Sequence, residues 1–193
     1  MSVRVSMLLV SMVTVSSTAC AQSGLPPASE QIAAAVLPLP EAMRASATVL
    51  GYARAGRLTT LRKGDGPMTC LANNPAGEQF HVACYHNSLE PFMERGRALR
   101  AEGVQGPQVD TVRFAEAKAG KLKLPEGPAS LYTLTGGTFD PRTGTVTGAR
   151  ELYVVYIPYA TTATTGLPDK PVDGPWLMFP GTPKAHIMFV PRM

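Results

Sequence analysis

Short runs of β-branched and aromatic residues, separated by links of turn length, recur along the chain and restrict it to folds built on a strand-rich sheet. Residues 47–52, 58–61, 68–71, 80–85, 131–134, 151–157, 176–179 and 186–190 have this character. Between them lie turn signals at 55–56, 63–67, 73–77 and 140–144, each rich in Gly, Pro, Asn or Asp. Only two stretches have the length and spacing of substantial helices. One starts at a cap at Asn87 or Ser88, carries Leu89, Phe92, Met93 and Leu99 on one stripe, and stops at Gly103. The other runs over 110–119 with Asp110 as its cap. A shorter Ala-rich helix over 30–36 follows Ser29 and is ended by Pro38 and Pro40. This order predicts an α+β domain: an antiparallel or mixed sheet with two or three helices packed on one face. No βαβ alternation and no Gly-rich phosphate loop occurs, which excludes a Rossmann or P-loop nucleotide site.

The first residues read as an export leader. Arg4 is the only charge before Glu30, and an apolar and hydroxyl run over 5–18 follows it. The run is too short and too rich in Ser and Thr for a membrane span, which needs about 20 mostly apolar residues. Two processing readings compete. Ala19-Cys20-Ala21 fits small-x-small cleavage, giving a signal peptide over 1–21. Ser17-Thr18-Ala19-Cys20 resembles a lipobox with Ser in place of the usual Leu, giving a leader over 1–19 and a lipidated Cys20. Residues 22–30 then form a linker and 31–193 a single domain.

Cysteine parity agrees with export. Of three cysteines, Cys20 is removed or acylated, leaving Cys70 and Cys84 as an even pair in an oxidising compartment. A disulfide between them is expected, making the protein periplasmic, membrane-anchored through Cys20, or extracellular. The charge excludes little else. Eighteen basic and 14 acidic residues give +4, one less without Arg4, and the cations are scattered without interleaved aromatics. A nucleic-acid partner is not expected. The expected partner is a ligand or an envelope protein, with membrane contact only through a lipid at Cys20.

The tail Gly174-Pro175-Trp176-Leu177-Met178, then Pro180-Gly181-Thr182-Pro183-Lys184-Ala185-His186-Ile187-Met188, resembles the ending of a group of uncharacterised exported bacterial proteins. Met68-Thr69-Cys70-Leu71 is similar to a segment of the same group. The resemblance implies export and a similar domain, and it carries no catalytic residue.

The candidate chemistry rests on three histidines. His81, His86 and His186 would meet if the fourth strand lay beside the last. His81 and Cys84 point to opposite faces of a strand, so they make a poor chelate. His86 and Glu90 would share a helix face and offer two of the three or four ligands zinc needs. His186 and Met188 share a strand face that Met178 can join from a neighbour, and imidazole with thioether suits Cu(I). Copper or zinc thus stands as the alternative to a domain with no cofactor. Neither a Gly-x-Ser-x-Gly elbow nor a free reactive Cys is found, and no catalytic residue is assigned. The leading expectation is a non-enzymatic binding or scaffold module. The alternative is a metal-dependent enzyme or a copper-binding protein using His86, His186 and Met188.

Overall fold

The computed structural model describes residues 24–54 and 56–190. The leader, Cys20 and both processing readings lie outside the described residues.

Ten strands, five α-helices and one 3₁₀ turn are described. They are α1 (Ala28–Ala35), α2 (Glu41–Arg44), β1 (Thr48–Arg54), β2 (Arg57–Arg62), β3 (Met68–Leu71), β4 (His81–His86), the 3₁₀ turn Asn87–Leu89, α3 (Glu90–Ala101), α4 (Gln108–Lys118), β5 (Ala129–Thr135), β6 (Thr138–Asp140), β7 (Thr145–Thr147), β8 (Arg150–Tyr156), α5 (Thr162–Thr165), β9 (Trp176–Met178) and β10 (His186–Phe189). Eight strands form one sheet in the order β2-β1-β3-β4-β5-β8-β10-β9, and β6 pairs with β7 as a separate hairpin. Every pairing in the large sheet is antiparallel except β1 with β3. The sheet is therefore mixed, one of the two forms expected from the turn-length links.

The helices divide between the two faces. Ala35 and Val36, at the end of α1, pack on Cys70, Cys84 and Val49. Leu89 and Met93 pack on Tyr85 and Val154. Cys84 and Tyr85 are adjacent in one strand and point oppositely. α3 and its partner α4 share one face, and α1 lies on the other with Met43 of α2, where a single-face arrangement was expected. The split has a simple cause. Both faces of the central strand β4 are apolar, with Val82 and Cys84 on one and Ala83 and Tyr85 on the other, and each must be covered.

Cys70 and Cys84 stand directly opposite each other on β3 and β4 and are joined by a disulfide, with sulfurs 2.06 Å apart. Both are fully buried beneath α1. Such a pair indicates an oxidising environment. Among the described residues no helix is long and apolar enough to cross a membrane.

α1 starts at Ala28, within the stretch expected as linker, and is tied to the sheet by one side chain. Gln31 Nε2 donates to Tyr52 O at 2.9 Å, and Tyr52 N–H donates to Gln31 Oε1 at 2.8 Å. β3 pairs with β1 only as far as Leu50, so beyond it a carboxamide takes the place of a neighbouring strand. Gly51 beside it has no room for a side chain: a Cβ would lie 2.8 Å from Gln31 Oε1 and 2.3 Å from Leu61 Cδ1. Gln31→Leu keeps the bulk and strips both bonds. It is expected to lower the unfolding free energy by about 1–3 kcal/mol in urea titrations, the penalty for leaving backbone groups unpaired.

Candidate functional site

Register fixes what each sheet face presents. Tyr85, Leu131, Val154 and Met188 form one cross-strand row on the α3 face. The same face continues across β3, β1 and β2 through Leu71, Leu50, Tyr52 and Leu58, because cross-strand partners point the same way. The α3–α4 pair stands over the Tyr85–Val154 region and leaves this outer part open. The result is a groove of 390 Å³ lined by Tyr52, Leu58, Leu71, Ala72, His81 and Ala83, with the loop over 73–79 as its wall. Its floor is apolar, and its rim carries the amides of Asn73, Asn74 and Gln79 and the carboxylate of Glu78.

His81 is the titratable group at the groove's inner end. Its Nδ1 lies 2.8 Å from Thr135 Oγ1, and its backbone N–H donates to Asn73 Oδ1 at 2.8 Å, anchoring the loop. Although exposed, the ring is crowded enough for desolvation to lower its pKa, which favours the uncharged imidazole. Burial also raises the pKa of Tyr52. Both groups present hydrogen-bonding edges without charge.

His86 ends β4 and caps the 3₁₀ turn. Its Nδ1 accepts from Ser88 N–H at 3.2 Å and lies 2.8 Å from Ser88 Oγ. It borders a second cavity of 440 Å³ with Ser88, Pro91, Lys123 and Glu126. The expected pairing with Glu90 is not made. Glu90 accepts from Tyr85 Oη and Arg97 instead, at 2.5 Å each, and Arg97 also donates to Tyr85 Oη at 2.8 Å. This triad bolts α3 to the sheet, and burial raises the pKa of Tyr85 beyond its ordinary range.

His186 is 5 % exposed and lies in a third environment. Its ring stacks on Tyr156 at 4.8 Å and meets Phe179 at 5.8 Å. Nδ1–H donates to Lys184 O at 2.6 Å, leaving the lone pair on Nε2. Lys184 Nζ lies 4.5 Å from the Phe179 ring centre and donates to Asp110 Oδ2 at 2.8 Å, while Arg113 pairs with Asp110 Oδ1. Asp110 is therefore an anchor inside the first turn of α4, not the helix cap expected from the sequence; Pro107 occupies the cap. Burial would raise the Asp110 pKa, but the hydrogen bonds from Lys184 and Arg113 outweigh it and hold the carboxyl below its usual value. Burial pushes the Tyr156 pKa up to about 12. It lowers that of His186, with the adjacent Lys184 charge acting in the same direction and the bond to Lys184 O opposing.

A histidine whose folded pKa is lowered binds protons better when unfolded. Its contribution to stability is complete above pH 6.5, the unfolded value, and is lost as pH falls from there through the folded value. His81 acts in the same sense. Unfolding free energy measured in urea is therefore expected to fall from pH 8 to pH 5. His186→Phe, which keeps the stacking, should flatten that slope, and an unchanged slope would contradict the assignment.

The histidines do not converge. His81 and His86 lie five residues apart in one strand, about 16 Å, and β10 is three strand spacings from β4, about 14 Å. Among the described residues no group of three or more His, Cys, Asp or Glu is placed to hold a metal ion. His186 and Met178 are direct cross-strand partners, with Met188 two residues along the same face. The sequence reading missed the groove because its lining comes from four strands. The available signal was the apolar alternation of Leu50 and Tyr52, matched by Leu58 across the hairpin. No known family, curated protein or solved structure matches the chain.

Proposed function

We propose that this chain is an exported, non-enzymatic binding module whose ligand site is the sheet-face groove. The observation that carries the reading is the 390 Å³ groove itself, an apolar floor on a sheet face that α3 and α4 leave open. Apolar pockets with a few polar rim groups are the usual form of ligand sites. The rim groups here are amides, a carboxylate and an imidazole held neutral, which can orient a ligand and include no nucleophile paired with a base. The buried disulfide supports export. Export takes one of two forms, free secretion or anchoring at Cys20. Membrane fractionation of Cys20→Ser beside the parent chain separates them, since only an acylated chain would move to the soluble fraction.

The test of the groove uses Nile red, a neutral apolar dye. Its fluorescence should rise on binding the full chain, and Leu58→Asp should weaken binding about tenfold by placing a charge on the floor. Binding that is undiminished in Leu58→Asp would move the site elsewhere.

One observation favours a second reading, a Cu(I) carrier. His186 keeps its Nε2 lone pair and faces Met178 across the strand pair, with Met188 on the same side. Soft thioether with imidazole suits Cu(I). Stoichiometric copper after anaerobic loading, lost in Met178→Leu, would support this reading over the first.

A further inference from the structure

The two ends of the large sheet are finished differently. At one end, the outer side of β9 is covered by its own chain, with Leu177 N–H donating to Pro168 O at 2.8 Å. At the other end, β2 bonds only to β1 among the described residues, so alternate N–H and C=O groups along Arg57–Arg62 face outward without partners. Along β1, β2 and their flanking turns the charged side chains carry one sign. No acidic residue occurs between Ser46 and Asp65, and Arg54, Arg57 and Lys63 are exposed cations without an ion pair or a side-chain hydrogen bond. Arg62 is not one of them. It turns inward and donates to Arg44 O and Ala47 O, bracing the start of β1.

We propose that β2 accepts an extended peptide segment of a partner protein as a ninth strand, and that this segment alternates apolar and acidic residues. The proposal rests on the groove reading and names its partner class. Leu58 points to the groove face and lines the groove, whereas Arg57, one residue earlier, points to the opposite face. A strand added about 4.8 Å outside β2 places one set of its side chains beside Leu58 at the mouth of the groove. The other set lies beside Arg57, its hairpin partner Arg54, and Thr59. The first set is matched by apolar residues and the second by carboxylates. Main-chain hydrogen bonds then supply affinity, and the groove and the cations supply specificity. Glu78 lines the groove and disfavours a carboxylate among the inserted side chains.

A second copy of this chain fits the edge less well. Antiparallel pairing of β2 with itself sets Arg57 toward Lys63 at the other end of the copy, and like charges across a strand pair repel.

The experiment is fluorescence anisotropy with the full chain and a fluorescein-labelled, seven-residue peptide alternating Glu and Val. Two comparison probes are the same peptide with Lys at every Glu, and the Glu peptide N-methylated at every residue, so that neither edge keeps a donor. At about 0.15 M salt, where exposed charges act only over a Debye length, the Glu peptide should bind about tenfold tighter than the Lys peptide. The N-methylated probe, which lacks the strand donors, should not bind. Arg54→Glu with Arg57→Glu, both exposed, should reverse the charge preference while leaving the urea midpoint unchanged. Equal binding of the Glu and Lys peptides, binding of the N-methylated probe, or a dimer that the double variant dissociates would each overturn the proposal. Loss of peptide binding with Nile red still bound removes strand addition alone; loss of both removes the groove reading as well.

Discussion

A chain truncated after Pro180 should lose its cooperative unfolding transition. The deletion takes β10, which is not an edge strand: it lies between β8 and β9 and pairs with both. Without it, β9 has no strand neighbour and β8 loses its outer one. The deletion also removes Ala185 and His186 from the interior, exposes Leu177 and Tyr156, and releases the Lys184 bond that holds α4 at Asp110. Large side chains are worth about 1.5–3 kcal/mol each when buried, against a total domain stability of about 5–15 kcal/mol. Several such losses exceed the reserve. Thermal and urea melts followed by circular dichroism would show a sloping, uncooperative change; a retained sigmoidal transition would show that β8 can serve as an edge.

Replacing both disulfide cysteines, Cys70→Ala with Cys84→Ala, is the second large effect. The bond closes a segment with a sequence separation of 14. Constraint of the unfolded chain over such a loop is worth about 3 kcal/mol. Both sulfurs are buried under α1, where the Cys84 sulfur lies 3.2 Å from Ala35 O, so the double variant also loses packing between helix and sheet. A fall of about 3 kcal/mol in the urea-derived unfolding free energy is expected, and the same fall should appear in the parent chain under reductant once it has been unfolded and refolded. An unchanged midpoint in both would show that β3 and β4 hold their register without the bond. Alanine is the right replacement, since serine would bury two hydroxyls with no assured partner.

The strands were legible because each carries a two-residue alternation bounded by Gly, Pro, Asn or Asp. β3, β4 and β8 fall within a residue or two of where the pattern puts them. The hairpin β6–β7 was not seen, although its Asp140–Gly144 turn was, because Thr138–Asp140 and Thr145–Thr147 are too short to show alternation. α5 has no apolar stripe among its four residues to mark it in the sequence, and a capping box between Thr161 and Thr164 holds it. The role of Asp110 was hidden for a different reason. An acidic residue at a helix start reads as a cap, and its partner Lys184 is 74 residues away. Strand order was hidden in the same way. β3 returns parallel to β1 and displaces β2 to the rim, so the open edge and the groove beside it come from long-range pairing that local pattern does not encode.

The position of β9 gives the protein an internal clock. The chain has one tryptophan, Trp176, and it lies on β9 opposite Met188 of β10. During synthesis β9 emerges before β10, yet among the described residues its only strand contact is with β10. The indole therefore remains in water until the final strand has entered between β8 and β9, after the β4–β5–β8 ladder has had its partners available. Tryptophan emission in a refolding experiment thus times the last docking event, separately from the far-ultraviolet signal of the earlier strands. A delay between the two would measure how long the unfinished sheet lies open.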